Sequence, residues 1–270
     1  MSILPLSGKA LRMARLSRHN DGRFLFVPLD HTVADGPIAS VPGFNQLVRD
    51  IVDGGADAIV VHKGRARTIA PHLLARCALV VHLSASTMHA PDANAKVLVG
   101  EVAEAVRLGA DAVSVHVNVG SATEAGQLAD CAAVARECDR WGIPLIAMMY
   151  PRGPRITDPS DPVLVSHVAN IAADLGADIV KVPMVAPIHA MVEVVAASPL
   201  PIVVAGGAGQ QSAADFATSA LEVGCRGLAV GRRVFTSVEP RKTVRELARI
   251  VHQSEFGSAP VSQPRMAGIS

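Results

Sequence analysis

The chain has 270 residues, half of them hydrophobic, and 25 Lys and Arg balance 24 Asp and Glu to a formal net charge of +1. That length suits one large domain or two small ones, and near-neutrality without a basic tract or aromatic-basic face gives no electrostatic reason to expect nucleic acid. Aromatic residues are only 3% of the chain, so its core is aliphatic, as in parallel sheets covered by helices, and its apolar runs are too short to span a membrane.

From the start, Leu11 to Leu16 mixes Leu, Met and Arg at helical spacing and leads to the turn Asn20-Asp21-Gly22. Lys9, Arg12, Arg15 and Arg18 are spread through this segment, where a signal peptide needs an unbroken apolar stretch. Cys77, Cys131, Cys138 and Cys225 lack the short paired spacing of zinc or redox sites, so reduced, packed thiols in a cytoplasm are expected. Phe24 to Leu29 reads as the first strand and delivers Asp30-His31; Ala58 to Val61 is the second and delivers His62-Lys63. Leu79 to Leu83 is the third and runs into Ser84-Ala85-Ser86-Thr87, with a helix expected from Asp92 to Leu108.

A repeat then emerges. Gly109-Ala110-Asp111 precedes a fourth strand, Ala112 to Val117, as Gly55-Ala56-Asp57 precedes the second and Gly176-Ala177-Asp178 a sixth through Lys181. Gly224-Cys225-Arg226-Gly227 does the same for Leu228 to Val230. Each glycine stands where a left-handed residue closes a helix before a strand. Two further strands, Leu145 to Met149 and Ile202 to Ala205, are introduced by prolines, which brings the count to eight. Regular β-then-α alternation over this length predicts an α/β fold of the closed (βα)8 TIM-barrel type, with a doubly wound open sheet as the alternative. One barrel with a short N-terminal helix is expected over 1–256, and the Ser-, Pro- and Gly-rich stretch 257–270 is expected to be a disordered tail.

In such a barrel, chemistry belongs at the C-terminal ends of the strands. Asp30-His31, His62-Lys63, Tyr150-Pro151-Arg152-Gly153, Lys181, Gly206-Gly207 and Gly231-Arg232 all fall there. Lys181 sits in the β-branched run Ile179-Val180-Lys181-Val182, and a desolvated lysine loses proton affinity and attacks carbonyls as a neutral amine. Tyr150, the chain's single tyrosine, can shuttle a proton beside it with help from Asp30. Glycines after strands seven and eight admit an anion, which Arg232 would grip. His31, His62, His82 and His116 on the early strands keep a metal-dependent barrel enzyme open, and a non-catalytic phosphosugar-binding module also stays open.

With those residues assembled, the chain resembles the archaeal-type class I Schiff-base aldolases, which include fructose-bisphosphate aldolase and 2-amino-3,7-dideoxy-D-threo-hept-6-ulosonate synthase. The resemblance spans Gly8 to Val238 and rests on Pro28-Leu29-Asp30-His31, His62-Lys63-Gly64, Met148 to Gly153, Val180 to Pro183, Val204 to Gly207 and Val230 to Arg232. It implies Lys181 as Schiff-base residue, Tyr150 as proton donor and acceptor, and Asp30 as assistant. It implies a substrate- and phosphate-binding set of His31, Lys63, Arg152, Gly206, Gly207, Gly231 and Arg232, with neither metal nor cofactor. Phosphorylated ketose and aldehyde substrates follow from it, as does a homo-oligomer, a decamer in the family. Met148-Met149 ahead of Tyr150 favours the synthases, whose acceptor is L-aspartate 4-semialdehyde, over the fructose-bisphosphate enzymes. Thr32 and Ala208-Gly209 depart from the family pattern.

Overall fold

The computed structural model describes residues 7–207 and 211–253. The stretch 257–270, expected to be a tail, and the departure at Ala208-Gly209 lie outside the described residues. Eight parallel strands close into a barrel in chain order: β1 (Phe24–Pro28), β2 (Ala58–Val61), β3 (Ala78–His82), β4 (Ala112–Val119), β5 (Leu145–Pro151), β6 (Ile179–Val182), β7 (Ile202–Ala205) and β8 (Gly227–Ala229). β8 pairs back onto β1 through Phe24 and Gly227, which excludes the open sheet. Helices α1 (Gly8–Leu16), α2 (Val41–Gly54), α3 (Val102–Arg107), α4 (Glu124–Trp141), α5 (Pro162–Asp174), α6 (Met191–Ala197), α7 (Ala213–Glu222) and α8 (Pro240–Gln253) complete it. No helix among the described residues is long and apolar enough to cross a membrane.

Strand alternation sorts the apolar residues into two cores. Phe24, Phe26, Val60, Val80, Ile146, Ile179 and Val203 fill the barrel, and Leu16 of α1 closes that cluster from below. Leu25, Ile59, Leu79, Val113, Leu145, Val180 and Val204 face outward under the helices. Local chemistry sets the helix ends: the Ser40 hydroxyl accepts from the Gly43 amide at 3.2 Å at the start of α2, and Asp161 accepts from Val163 at 2.8 Å at the start of α5. Gly55, Gly109, Gly176 and Gly224 take φ of 98°, 80°, 90° and 90°, the left-handed conformation their repeat predicts.

The aspartates of that repeat have a purpose of their own. Asp57 accepts from the Leu25 amide at 2.7 Å, Asp111 from Leu79 at 3.0 Å and Asp178 from Leu145 at 2.8 Å, so each pins the neighbouring strand at the barrel's N-terminal end. The free oxygen of each then faces a cation of the N-terminal segment: Arg18 at 3.7 Å, Arg15 at 3.0 Å and Lys9 at 3.1 Å. Helix α8 is tied to the same end by His252, whose ring nitrogens lie 2.7 Å from Asp21 and 3.0 Å from Asp57.

One expected element is different. The helix read over Asp92 to Leu108 forms only at Val102–Arg107; Val97–Leu98 instead pairs antiparallel with Ser84–Ala85 as a small ribbon beside the barrel mouth. Asn94 and Gly100 are poor helix formers, and the carbonyl of Asn94 is held by the side chains of Asn118 and Gln127 at 2.9 and 2.8 Å, which anchors the segment in a non-helical path.

Candidate active site

Lys181 and Ile179 share the inward face of β6, so the lysine continues the stack of apolar residues inside the barrel. It is 9% exposed, and its ammonium has one described partner, the Met148 sulfur on β5 at 3.7 Å. A thioether is a weak acceptor, so this contact satisfies the amine poorly. Asp30, at the end of β1, caps no helix: its side chain makes no hydrogen bond to the following turn, His31–Ala34. Its Oδ1 is buried without a hydrogen-bond partner, 3.7 Å from an equally unpartnered His31 Nδ1, and its Oδ2 lies 3.8 Å from His82 Nε2. Burial pushes the Asp30 carboxyl up, but the positive charge available on His82, Lys181, His31 and His62 outweighs it and holds the group at about 2.

His62, His82 and His116 each have a hydrogen-bond partner nearby. His82 Nδ1 lies 2.8 Å from the Ser114 hydroxyl, His116 Nε2 lies 2.9 Å from the Asn118 side-chain Oδ1, and His62 Nδ1 lies 3.1 Å from the His82 backbone carbonyl oxygen. Burial lowers all of them, His82 to about 4 and His116 well below its ordinary value, so they stand neutral at pH 7. Among the described residues, the group of metal-ligand side chains close enough to share an ion is His19, Asp57 and His252, at the opposite end of the barrel. Tyr150 is the last inward residue of β5, 8% exposed, with the His116 ring 4.8 Å away and the Arg152 guanidinium 4.3 Å from its ring centroid.

Two lobes of the barrel mouth meet at Lys181. One, of about 340 Å³, runs from Asp30, His82 and His116 out to the ribbon and Lys96. The other, of about 550 Å³, runs past Pro183 to Gly206, Gly207, Gly231 and Arg232. His31, Tyr150, Arg152, Lys181 and Arg232 line both. The fold thus brings together every residue expected at the site except Lys63, which turns away to pair with Glu104 at 2.8 Å and lines neither lobe.

The glycines divide by task. The Gly206 amide is spent on the Ala229 carbonyl at 2.9 Å and offers nothing to an anion, whereas Gly207 has no described backbone partner and open space around it. A Cβ on Gly231 would lie 2.6 Å from the Pro28 carbonyl oxygen and 2.7 Å from His31 Cε1, so only glycine lets β8 pass this close to β1. Lys96 escaped the sequence reading, and Arg233, which that reading places beside Arg232 at the end of strand eight, has a role of its own. Arg233 donates to the Gly206 and Gly207 carbonyls at 2.8 and 3.1 Å and props up the glycine loop, a role that its place beside Arg232 does not distinguish. Lys96 was hidden inside the segment expected to be helix.

Comparison with known proteins agrees with this geometry. Residues 24–237 match the model of the DeoC/LacD family aldolases. The chain is 49% identical to 2-amino-4,5-dihydroxy-6-oxo-7-(phosphonooxy)heptanoate synthase of Streptomyces griseus, over 91% of each chain. It is 43% identical to 2-amino-3,7-dideoxy-D-threo-hept-6-ulosonate synthase 1 of Archaeoglobus fulgidus, again over 91% of each. An archaeal fructose-1,6-bisphosphate aldolase, solved with its catalytic Lys covalently bound to the carbinolamine intermediate, superposes with a TM-score of 0.79 at 26% identity, over 90% of this chain and 99% of that one. A match over nearly the whole barrel, joined to relatives this similar, makes the chain a class I aldolase of the DeoC/LacD family.

Proposed function

We propose that Lys181 forms a Schiff base with dihydroxyacetone phosphate and that the enzyme joins this donor to L-aspartate 4-semialdehyde. The observation that carries the reading is a buried lysine at the junction of the two lobes, with no carboxylate within ion-pair distance among the described residues. The donor's phosphate lies in the glycine lobe, against Gly207, Gly231 and Arg232, which puts its ketone over Lys181. The neutral amine adds to the ketone, and loss of water from the carbinolamine gives the imine. Asp30, ionised down to about pH 2 and carrying an unpartnered oxygen, moves the proton in that dehydration. Tyr150 takes a proton from the carbon next to the imine, which gives an enamine and leaves Tyr150 carrying the proton that the next step needs. Its carbon attacks the aldehyde, Tyr150 protonates the new alkoxide, and water releases the product and regenerates the lysine.

The choice of donor draws on the more similar relative. That relative's product carries a 6-oxo group beside a 7-phosphonooxy group on an amino acid chain. Carbons 5 to 7 of that product, which end in the phosphate, match a three-carbon ketose phosphate, and carbons 1 to 4 match aspartate semialdehyde joined through its aldehyde. The second named relative makes a product deoxygenated at the corresponding carbon, and this chain is less similar to it. The four described cysteines are free and buried, which supports a cytoplasmic setting, and a homo-oligomer is part of the same reading.

Borohydride reduction in the presence of dihydroxyacetone phosphate, followed by peptide mapping, tests the nucleophile. The adduct is expected on Lys181, and Lys181→Arg, which keeps the charge but offers no neutral amine, is expected to lose both adduct and turnover. Product analysis with aspartate semialdehyde, run beside fructose 1,6-bisphosphate cleavage, tests the substrates. Efficient cleavage without a seven-carbon amino acid moves the enzyme to the fructose-bisphosphate branch.

A further inference from the structure

The residues discussed so far grip the ketose phosphate but leave the aldehyde partner unheld. The chain's lysines point to what holds it. Lys9, Lys63 and Lys242 each pair with a carboxylate. Lys181 and Lys96 hold none within ion-pair distance among the described residues, and both line the same lobe. Among the described residues, Lys96 donates to the hydroxyl of Ser86 on the ribbon loop. Arg152 completes the wall, its guanidinium resting on the Tyr150 ring with no described carboxylate contact. Burial and then the charge of Arg152 lower the proton affinity of Lys96, while Asp30, Asp35 and Asp92 raise it. Two cations brought within each other's field, with no carboxylate in contact among the described residues, suit an anionic group.

The sign pattern narrows the ligand further. Asp35 lines the lobe and makes no ion pair and no side-chain hydrogen bond among the described residues. A carboxylate there repels a phosphate dianion, but it suits an ammonium group. The lobe opposite the glycine loop therefore offers positive charge for one group and negative charge for another, the pattern of an amino acid's head. Lys96 and Asp35 belong to this lobe alone, so they have no part in holding the donor's phosphate.

We propose that Lys96 and Arg152 bind the α-carboxylate of an amino-acid aldehyde while Asp35 faces its ammonium group, which turns the aldehyde carbon toward Lys181. This assignment rests on the reading of Lys181 as the donor's nucleophile. It makes Lys96 and Asp35 specificity-determining residues, and it explains why an acceptor with a free amino acid end is chosen over a sugar phosphate.

Three aldehydes separate the contributions: L-aspartate 4-semialdehyde, 3-aminopropanal, which lacks the carboxylate, and 4-oxobutanoate, which lacks the amine. With dihydroxyacetone phosphate as donor, the wild type is expected to prefer the complete amino acid, by kcat/KM, over either analogue by about tenfold or more. Lys96→Met is expected to erase the preference over 3-aminopropanal and keep that over 4-oxobutanoate; Asp35→Asn is expected to do the reverse. Borohydride trapping of dihydroxyacetone phosphate on Lys181 in each variant reports that the barrel and donor lobe are intact. Trapping that persists with unchanged acceptor preferences, or an equal loss of rate with all three aldehydes, overturns the clamp alone. A wild-type enzyme that forms no Lys181 adduct overturns the donor reading, and the clamp falls with it.

Discussion

Asp30 and Tyr150 flank one amine yet face different steps, and their surroundings say which. Asp30 has a buried oxygen free of hydrogen bonds and a carboxyl held at about 2, so it is a carboxylate whenever the enzyme works. Its lowered value adds stability that is complete above the ordinary carboxylate range, near 4, and is lost only as pH falls through about 2. Neighbouring His82, held at about 4, is neutral over the same working range and takes no charge from the acid. Tyr150 stands farther along β5, between the His116 ring and the Arg152 guanidinium, where both lobes open. Tyr150→Phe is therefore expected to trap donor on Lys181 at near the wild-type rate but to lower carbon-carbon bond formation by about a hundredfold or more. Asp30→Asn is expected to slow the trapping itself. Single-turnover trapping, read against overall turnover, distinguishes the two; equal loss of trapping in both variants removes the division of labour.

At the scale of the element, the strand-and-glycine pattern was legible because it is local. A left-handed glycine, an alanine and an aspartate are contiguous, so each announces a strand, and alternation then fixes that Lys181 faces inward with Ile179. The aspartate's bond to the neighbouring strand gives the motif a measurable value. Asp111→Ala leaves the buried Leu79 amide unpaired and frees Arg15, at an expected cost of about 2 kcal/mol. Asp111→Asn keeps an acceptor for that amide and should cost less, which chemical denaturation can resolve. The illegible parts were contacts between segments distant in sequence. Nothing near Ala95-Lys96-Val97 says that this stretch folds over the mouth, because its path depends on Asn118 and Gln127 holding Asn94. Lys63 shows a similar limit: its place after the second strand was legible, and its pairing with Glu104 on α3 was not. Likewise, Gly206 fits the glycine-loop pattern, and only the closed barrel shows its amide already taken by β8.

For the molecule as a whole, the barrel has a reactive end and a fastened end. His252 of α8 ties the C-terminal helix to the fastened end. Its burial opposes protonation, but hydrogen bonds and charge from Asp57 and Asp21 outweigh that and raise its pKa above the ordinary value. A raised value means stability that is fully present below pH 6.5 and is lost as pH climbs through the folded-state pKa. Thermal melts should thus show His252→Asn costing about 2 kcal/mol at pH 6 and clearly less at pH 9; a cost independent of pH refutes a charged His252. The same end carries the three aspartates that meet Lys9, Arg15 and Arg18, and these partners are made in an unusual order. The cations leave the ribosome before any strand, but their carboxylates follow one at a time, at Asp57, Asp111 and Asp178. The plug is synthesised first and can seat last, so a nascent chain halted before Asp178 holds its N-terminal helix by only part of its clasp.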